Sequence, residues 1–90
     1  MSGNIRNGRG VGACDLMRED AFKAGVDDYR RGKSFRRDDD IPRLLGLNDL
    51  MGNRQRVYEV GRLVALYAQQ HGLALTQRTV RAAGKSGYVP

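Results

Sequence analysis

The chain is expected to be all-α: a small bundle of two long helices, near 15–32 and 54–71, with a short connecting helix and a short C-terminal helix. Two observations predict this. Apolar and small residues recur at helical spacing over 21–32 and again over 57–68. Each run is also bracketed by residues that start and stop helices, Asp15 and Gly32 for the first, Asn53 and Gly72 for the second. The 90 residues suffice for one small domain. We expect it to occupy 14–86, with 1–13 as a flexible basic arm and 87–90 as a frayed tail. The arm sets Arg6 and Arg9 among glycines and asparagines, with too little apolar surface to offset the entropy of ordering it.

Asp15 is a candidate N-cap, followed by Glu19 and Asp20 where the helix dipole favours acids. At about 100° per residue, Ala21, Phe22, Gly25, Val26, Tyr29 and Gly32 share one side, while Lys23, Asp27, Arg30 and Arg31 face away. Glycine inside a helix costs about 1 kcal/mol relative to alanine, so Gly25 implies the close approach of a second helix. Gly32 is read as the stop.

In the connecting segment, Asp40 can cap a short helix with Pro42 in its first turn. Leu44, Leu45, Leu47, Leu50 and Met51 then form apolar turns, broken by Gly46 and ended by Gly52, that would lie as a lid over the longer helices. The second long helix starts at the candidate N-cap Asn53. Val57, Val60, Gly61, Val64, Tyr67 and Ala68 make its apolar face, widened by Leu63 and Leu66. Gly61 lies mid-face as Gly25 does, so Gly25 and Gly61 are expected to mark a helix crossing. In the last segment Leu73, Leu75 and Val80 fit a short strand, but Thr76 as N-cap and Gly84 as stop favour a two-turn helix.

Charge narrows the partners. Sixteen Lys and Arg against ten Asp and Glu give a net +6, and thirteen of the cations are arginine. Arginine forks onto phosphate or carboxylate in a bidentate way that lysine cannot, which favours an anionic partner. The excess lies in 1–14, 54–72 and 73–90, the last of which contains no acid. Cys14 is the single cysteine, so no internal disulfide forms and a reducing cytoplasm is the expected compartment. No apolar run approaches the ~18–20 residues of a membrane span, and 1–13 lack the apolar core of a signal peptide.

Motifs for catalysis or cofactors fail on context. Gly32-Lys33-Ser34 has Asp27 where a P-loop requires glycine, Gly84-Lys85-Ser86 has Thr79 there, and no strand precedes the glycines of 8–12. His71, the single histidine, has no Ser or Cys at a suggestive spacing and is read as a helix-end residue. Asp38, Asp39 and Asp40 cannot converge on one ion and are read as a solvated, dipole-capping run. Glu19, Asp20, Asp27 and Asp28 alternate with cations as solvated i,i+4 pairs do. We expect no enzyme, no metal and no cofactor.

Nucleic-acid binding is the better-motivated expectation. Arg30, Arg31, Arg36, Arg37, Arg54, Arg56, Arg78, Arg81 and Lys85 are the candidate phosphate contacts, the last three aligned on one side of the C-terminal helix. Tyr29, Tyr58 and Tyr88 are candidate stacking rings. The helix at 54–71, the interval from Gly72 to Thr76 and the basic helix after it also suggest a helix-turn-helix.

Ala21-Phe22-x-x-Gly25-x6-Gly32, an acidic connector containing Pro42, and Arg56-Val57-Tyr58-x-x-Gly61 together resemble ribosome modulation factor and related small phage and plasmid proteins. The resemblance covers 21–61. It implies two packed helices and a basic surface, with Arg30, Arg31, Arg54 and Arg56 toward small-subunit ribosomal RNA and translation held off during slow growth. The expectation is therefore a noncatalytic regulator that binds RNA or a ribonucleoprotein. The alternatives are a phage-encoded inhibitor of a host protein or defence complex, with Leu44, Leu47, Leu50 and Met51 as its interface, and a DNA-binding regulator using 73–86.

Overall fold

The structure, a computed structural model, describes residues 12–50 and 52–87. Its order is α1 (Ala13–Arg18), α2 (Asp20–Arg30), a single 3-10 turn (Asp38–Asp40), α3 (Asn53–His71) and α4 (Gln77–Ser86), with no strand among the described residues. Helix α3 alone is long. The first long helix expected over 15–32 is two pieces, and the connecting helix does not form.

Glu19 explains both differences. It stands between α1 and α2 in an extended conformation, with φ −77° and ψ 133°, and is 2 % exposed. Its Oε1 accepts the Leu45 N–H at 2.6 Å, and its Oε2 accepts those of Gly46 and Leu47 at 2.9 and 3.1 Å. These amides are therefore unavailable to a helix over 41–51. Ile41 is buried, Leu44 and Leu47 pack onto the core, and Leu45 and Leu50 face solvent. The segment covers the helices as an irregular strap.

Helices α2 and α3 make the main contact, and their glycines set its closeness. A Cβ on Gly25 would overlap the carbonyl oxygen of Tyr58 and lie 3.0 Å from the Arg62 nitrogen. One on Gly61 would overlap the carbonyl oxygen of Phe22. Backbone thus meets backbone at the crossing, and Phe22, Val26, Tyr58 and Val64 pack around it. Helix α4 leans on α3 and α1 with Thr79, Val80 and Ala83 buried. Ala13, one residue before the expected boundary at 14, is also buried.

The helix ends follow local chemistry. Lys33 N–H donates to Asp28 O and Gly32 N–H to Tyr29 O, while Leu73 N–H donates to Ala68 O and Gly72 N–H to Gln69 O. Both are the crossed pair of bonds that needs a left-handed residue, and glycine supplies it at φ +68° and +64°. Thr76 caps α4 by accepting the Thr79 N–H at 3.3 Å. Three start and stop expectations need correction. Gly12 rather than Asp15 is the N-cap of α1, Gly52 rather than Asn53 caps α3, and α4 runs past Gly84 to a C-cap at Gly87. The Asn53 side chain instead donates to Asn48 O at 2.8 Å, tying the strap to α3.

Candidate nucleic-acid interface

The surface is best defined by first removing what the interior uses. Asp28 lies one turn beyond Gly25 on the packed side of α2 and is 2 % exposed. Arg36 Nε and Nη2 donate to its two oxygens at 2.9 and 3.2 Å, and the Tyr58 hydroxyl donates to Oδ2 at 2.6 Å. The Tyr58 oxygen accepts the Arg36 backbone N–H at 3.1 Å. Burial pushes the Asp28 pKa up, but the hydrogen bonds from Arg36 and Tyr58 and the charges of Arg36 and Lys33 outweigh it and hold the carboxyl below its ordinary value. Arg36 is raised in turn, chiefly by its bond to Asp28.

This cluster bears on two expected contacts. Arg36 commits Nε and Nη2 to Asp28 while its side chain stays 38 % exposed, and Tyr58 is too buried to stack on a base. Asp28 and Glu19, expected as solvated carboxylates, are buried acceptors. Tyr29 is half-buried and its hydroxyl bonds Gln69, while Tyr88, Arg6 and Arg9 lie outside the described residues.

The remaining cations fall into groups set by the elements that carry them. Arg30 and Arg31 end α2 and are exposed. Arg37 is exposed and follows Arg36, whose carbonyl oxygen accepts from Gln55 Nε2 of the first turn of α3 at 3.1 Å, and Arg54 on α3 is half-buried. Arg56 is exposed but engaged within the chain. On α4, Arg78, Arg81 and Lys85 occupy one exposed side, opposite buried Thr79, Val80 and Ala83. None of Arg30, Arg31, Arg37, Arg54, Arg78, Arg81 or Lys85 forms a salt bridge with a described residue. Glu59 is the last acidic residue in the sequence, so no acid neighbours the α4 cations along the chain, and the acid on α1, which packs against α4, is Asp15.

The leucine surface is rearranged. Leu44 and Leu47 turn inward, Leu50 is 61 % exposed, and Met51 lies outside the described residues. Leu45, expected in the apolar turns of the lid, is the most exposed at 69 %. Phe35 was not singled out from the sequence. It is 60 % exposed beneath the Arg62 guanidinium, whose Nη1 donates to Lys33 O at 2.9 Å and to the Tyr58 hydroxyl at 3.2 Å. The available signal was a lone aromatic among Arg30, Arg31, Lys33, Arg36 and Arg37.

Among the described residues no three His, Cys, Asp or Glu side chains group to hold a metal, and no helix is long and apolar enough to cross a membrane. Cys14 is exposed on α1, and His71 rests against the Tyr67 ring at the end of α3. Comparison of the chain with protein-family models, curated proteins and solved structures gives no match.

Proposed function

We propose that the protein is a noncatalytic module that binds the phosphate backbone of RNA, or of a ribonucleoprotein, and regulates its target by occupying it. The observation that carries this reading is the row Arg78, Arg81 and Lys85 on the outer side of α4, in a segment, 60–90, that contains no acid. Seven residues of helix separate its ends by about 10 Å, so the cations can meet successive phosphates. These cations form no salt bridge with a described residue, and such cations gain from displacing the ions condensed on a polyphosphate. Arg30, Arg31 and Arg37 supply a second exposed group. The resemblance of 21–61 to ribosome modulation factor supports RNA as the polyanion.

A second reading, a DNA-binding regulator, is favoured by one feature. Helix α4 follows α3 through residues 72–76 and turns its cationic side outward, as a groove-reading helix would. Titrating labelled RNA and DNA duplexes across salt concentrations tests both. The logarithm of affinity should fall linearly with the logarithm of salt, and replacing Arg78, Arg81 and Lys85 with alanine should lower that slope by about 2 to 3. A flat salt dependence, or an unchanged slope in the triple variant, refutes phosphate binding by α4. Tighter binding to DNA than to RNA favours the second reading.

A further inference from the structure

We infer that the groove between Phe35 and α3 receives an unpaired base of the bound RNA, with Phe35 as the stacking surface. This rests on the phosphate-binding reading and adds a base-recognition site to it. The groove has a volume of about 420 Å³ and is lined by Tyr29, Phe35, Glu59, Arg62, Leu63 and Leu66. Its ring is held in place. The Arg62 carbon Cζ lies 4.2 Å from the Phe35 ring centre, and the Phe35 edge meets Tyr58 with centres 6.4 Å apart at 69°. Arg62 is itself fixed by the Lys33 carbonyl and the Tyr58 hydroxyl. With the Arg62 guanidinium over one face, a ring that stays 60 % exposed forgoes burial and leaves its other face as a flat stacking surface.

Charge selects the occupant. Between Asp28 and Asp38 the sequence carries five cations and no acid, and Arg30, Arg31, Lys33 and Arg37 are exposed beside the groove's aromatic residue. An apolar slot that holds Arg62 and adjoins a chain segment of exposed cations suits a nucleotide, whose base stacks while its phosphates meet those cations. The Glu59 carboxylate, whose Oε2 accepts from Gln55 Nε2 at 3.1 Å, keeps Oε1 to accept an N–H from a base edge, and guanine offers two adjacent ones. The expected ligand is therefore an unpaired purine, guanine before adenine.

The sequence contains no Trp, so Phe35→Trp creates a unique fluorescent reporter in the full chain. Three probes are titrated: an RNA hairpin with an unpaired guanine-containing loop, a fully paired RNA duplex with the same number of phosphates, and a peptide of alternating leucine and glutamate. The hairpin should quench the reporter and the duplex should not. In the unlabelled protein, Phe35→Ala should weaken hairpin binding by about tenfold or more and leave duplex binding unchanged, with Phe35→Leu used where thermal melting shows the alanine variant to be unfolded. Glu59→Gln should erase a preference for guanine over adenine loops. Equal binding of hairpin and duplex without quenching overturns the base site and leaves phosphate binding standing. Failure of both RNAs to bind overturns both. Quenching by the peptide alone assigns the groove to a protein and overturns the inference.

Discussion

The Tyr58 hydroxyl donates a 2.6 Å hydrogen bond to Asp28 across the contact of α2 and α3, at a depth where both residues are buried. Arg36 closes the other side of the carboxylate, so a charge that would be costly alone is stabilised by partners from two elements. Removing a single partner is the damaging change. Tyr58→Phe should cost about 1–3 kcal/mol in urea denaturation, since it leaves a buried acceptor short of a donor.

The same cluster gives a pH dependence with a definite sign. The Asp28 pKa is depressed in the folded protein, so its contribution is present above the unfolded value, near pH 4, and is lost as pH falls through the folded value. Denaturation at a series of pH values should show stability declining below about pH 4. In Asp28→Asn that decline should be shallower, and a variant with an undiminished acid slope would contradict the assignment.

Gly25 and Gly61 should tolerate no side chain. Alanine is the better helix former by about 1 kcal/mol, yet its Cβ at either position would displace the carbonyl of the opposite helix. We expect Gly25→Ala and Gly61→Ala each to cost about 2 kcal/mol or more net, measured by thermal or urea unfolding. Gly84 is the internal control. It lies within α4 with nothing near its Cβ position, so Gly84→Ala should stabilise the protein by about 0.5–1 kcal/mol.

Glu19 anchors the strap with one carboxylate and three backbone amides. Glu19→Gln keeps the shape but offers one acceptor oxygen where there were two, and its NH2 group faces amides that also donate. The expected loss is about 1–3 kcal/mol. Hydrogen exchange gives the sharper readout, because the amides of Leu45, Gly46 and Leu47 should lose protection before those of α3. Uniform loss across all helices would show that Glu19 acts on the whole fold rather than on the strap.

Glycine and cap chemistry made much of the architecture readable. The stops at Gly32 and Gly72, the cap at Thr76 and the meeting of Gly25 with Gly61 follow from short-range rules that a sequence expresses directly. The break at Glu19 carries no glycine or proline, and its cause lies 26 residues away at Leu45. A weaker signal was present. In one continuous helix Leu16 would point roughly 150° from the Phe22 and Gly25 side, whereas it packs against the core. Asp28 was similarly legible by position, three residues after Gly25 and seven after Ala21, but carboxylates at helical spacing usually face water. The candidate interface was less legible because arginine serves interior and surface alike, and only its neighbours in space distinguish the two.

Arg36 and Arg37 put that distinction to the test with adjacent residues. Arg36 is bound to a buried carboxylate, and its loss leaves Asp28 with the Tyr58 hydroxyl and only the charge of Lys33, which makes no salt bridge to it. Arg37 is exposed and makes no salt bridge with a described residue. Arg36→Ala should therefore destabilise the fold by about 2–4 kcal/mol, while leaving the salt slope of RNA binding unchanged under conditions where the variant stays folded. Arg37→Ala should leave the unfolding midpoint within about 0.5 kcal/mol of the parent and reduce the salt slope by up to about 1. Paired measurements of unfolding and of affinity against salt separate the two roles. The reverse outcome, a stable Arg36→Ala that loses slope beside an unstable Arg37→Ala that keeps it, would place the phosphate contact on the guanidinium that holds Asp28.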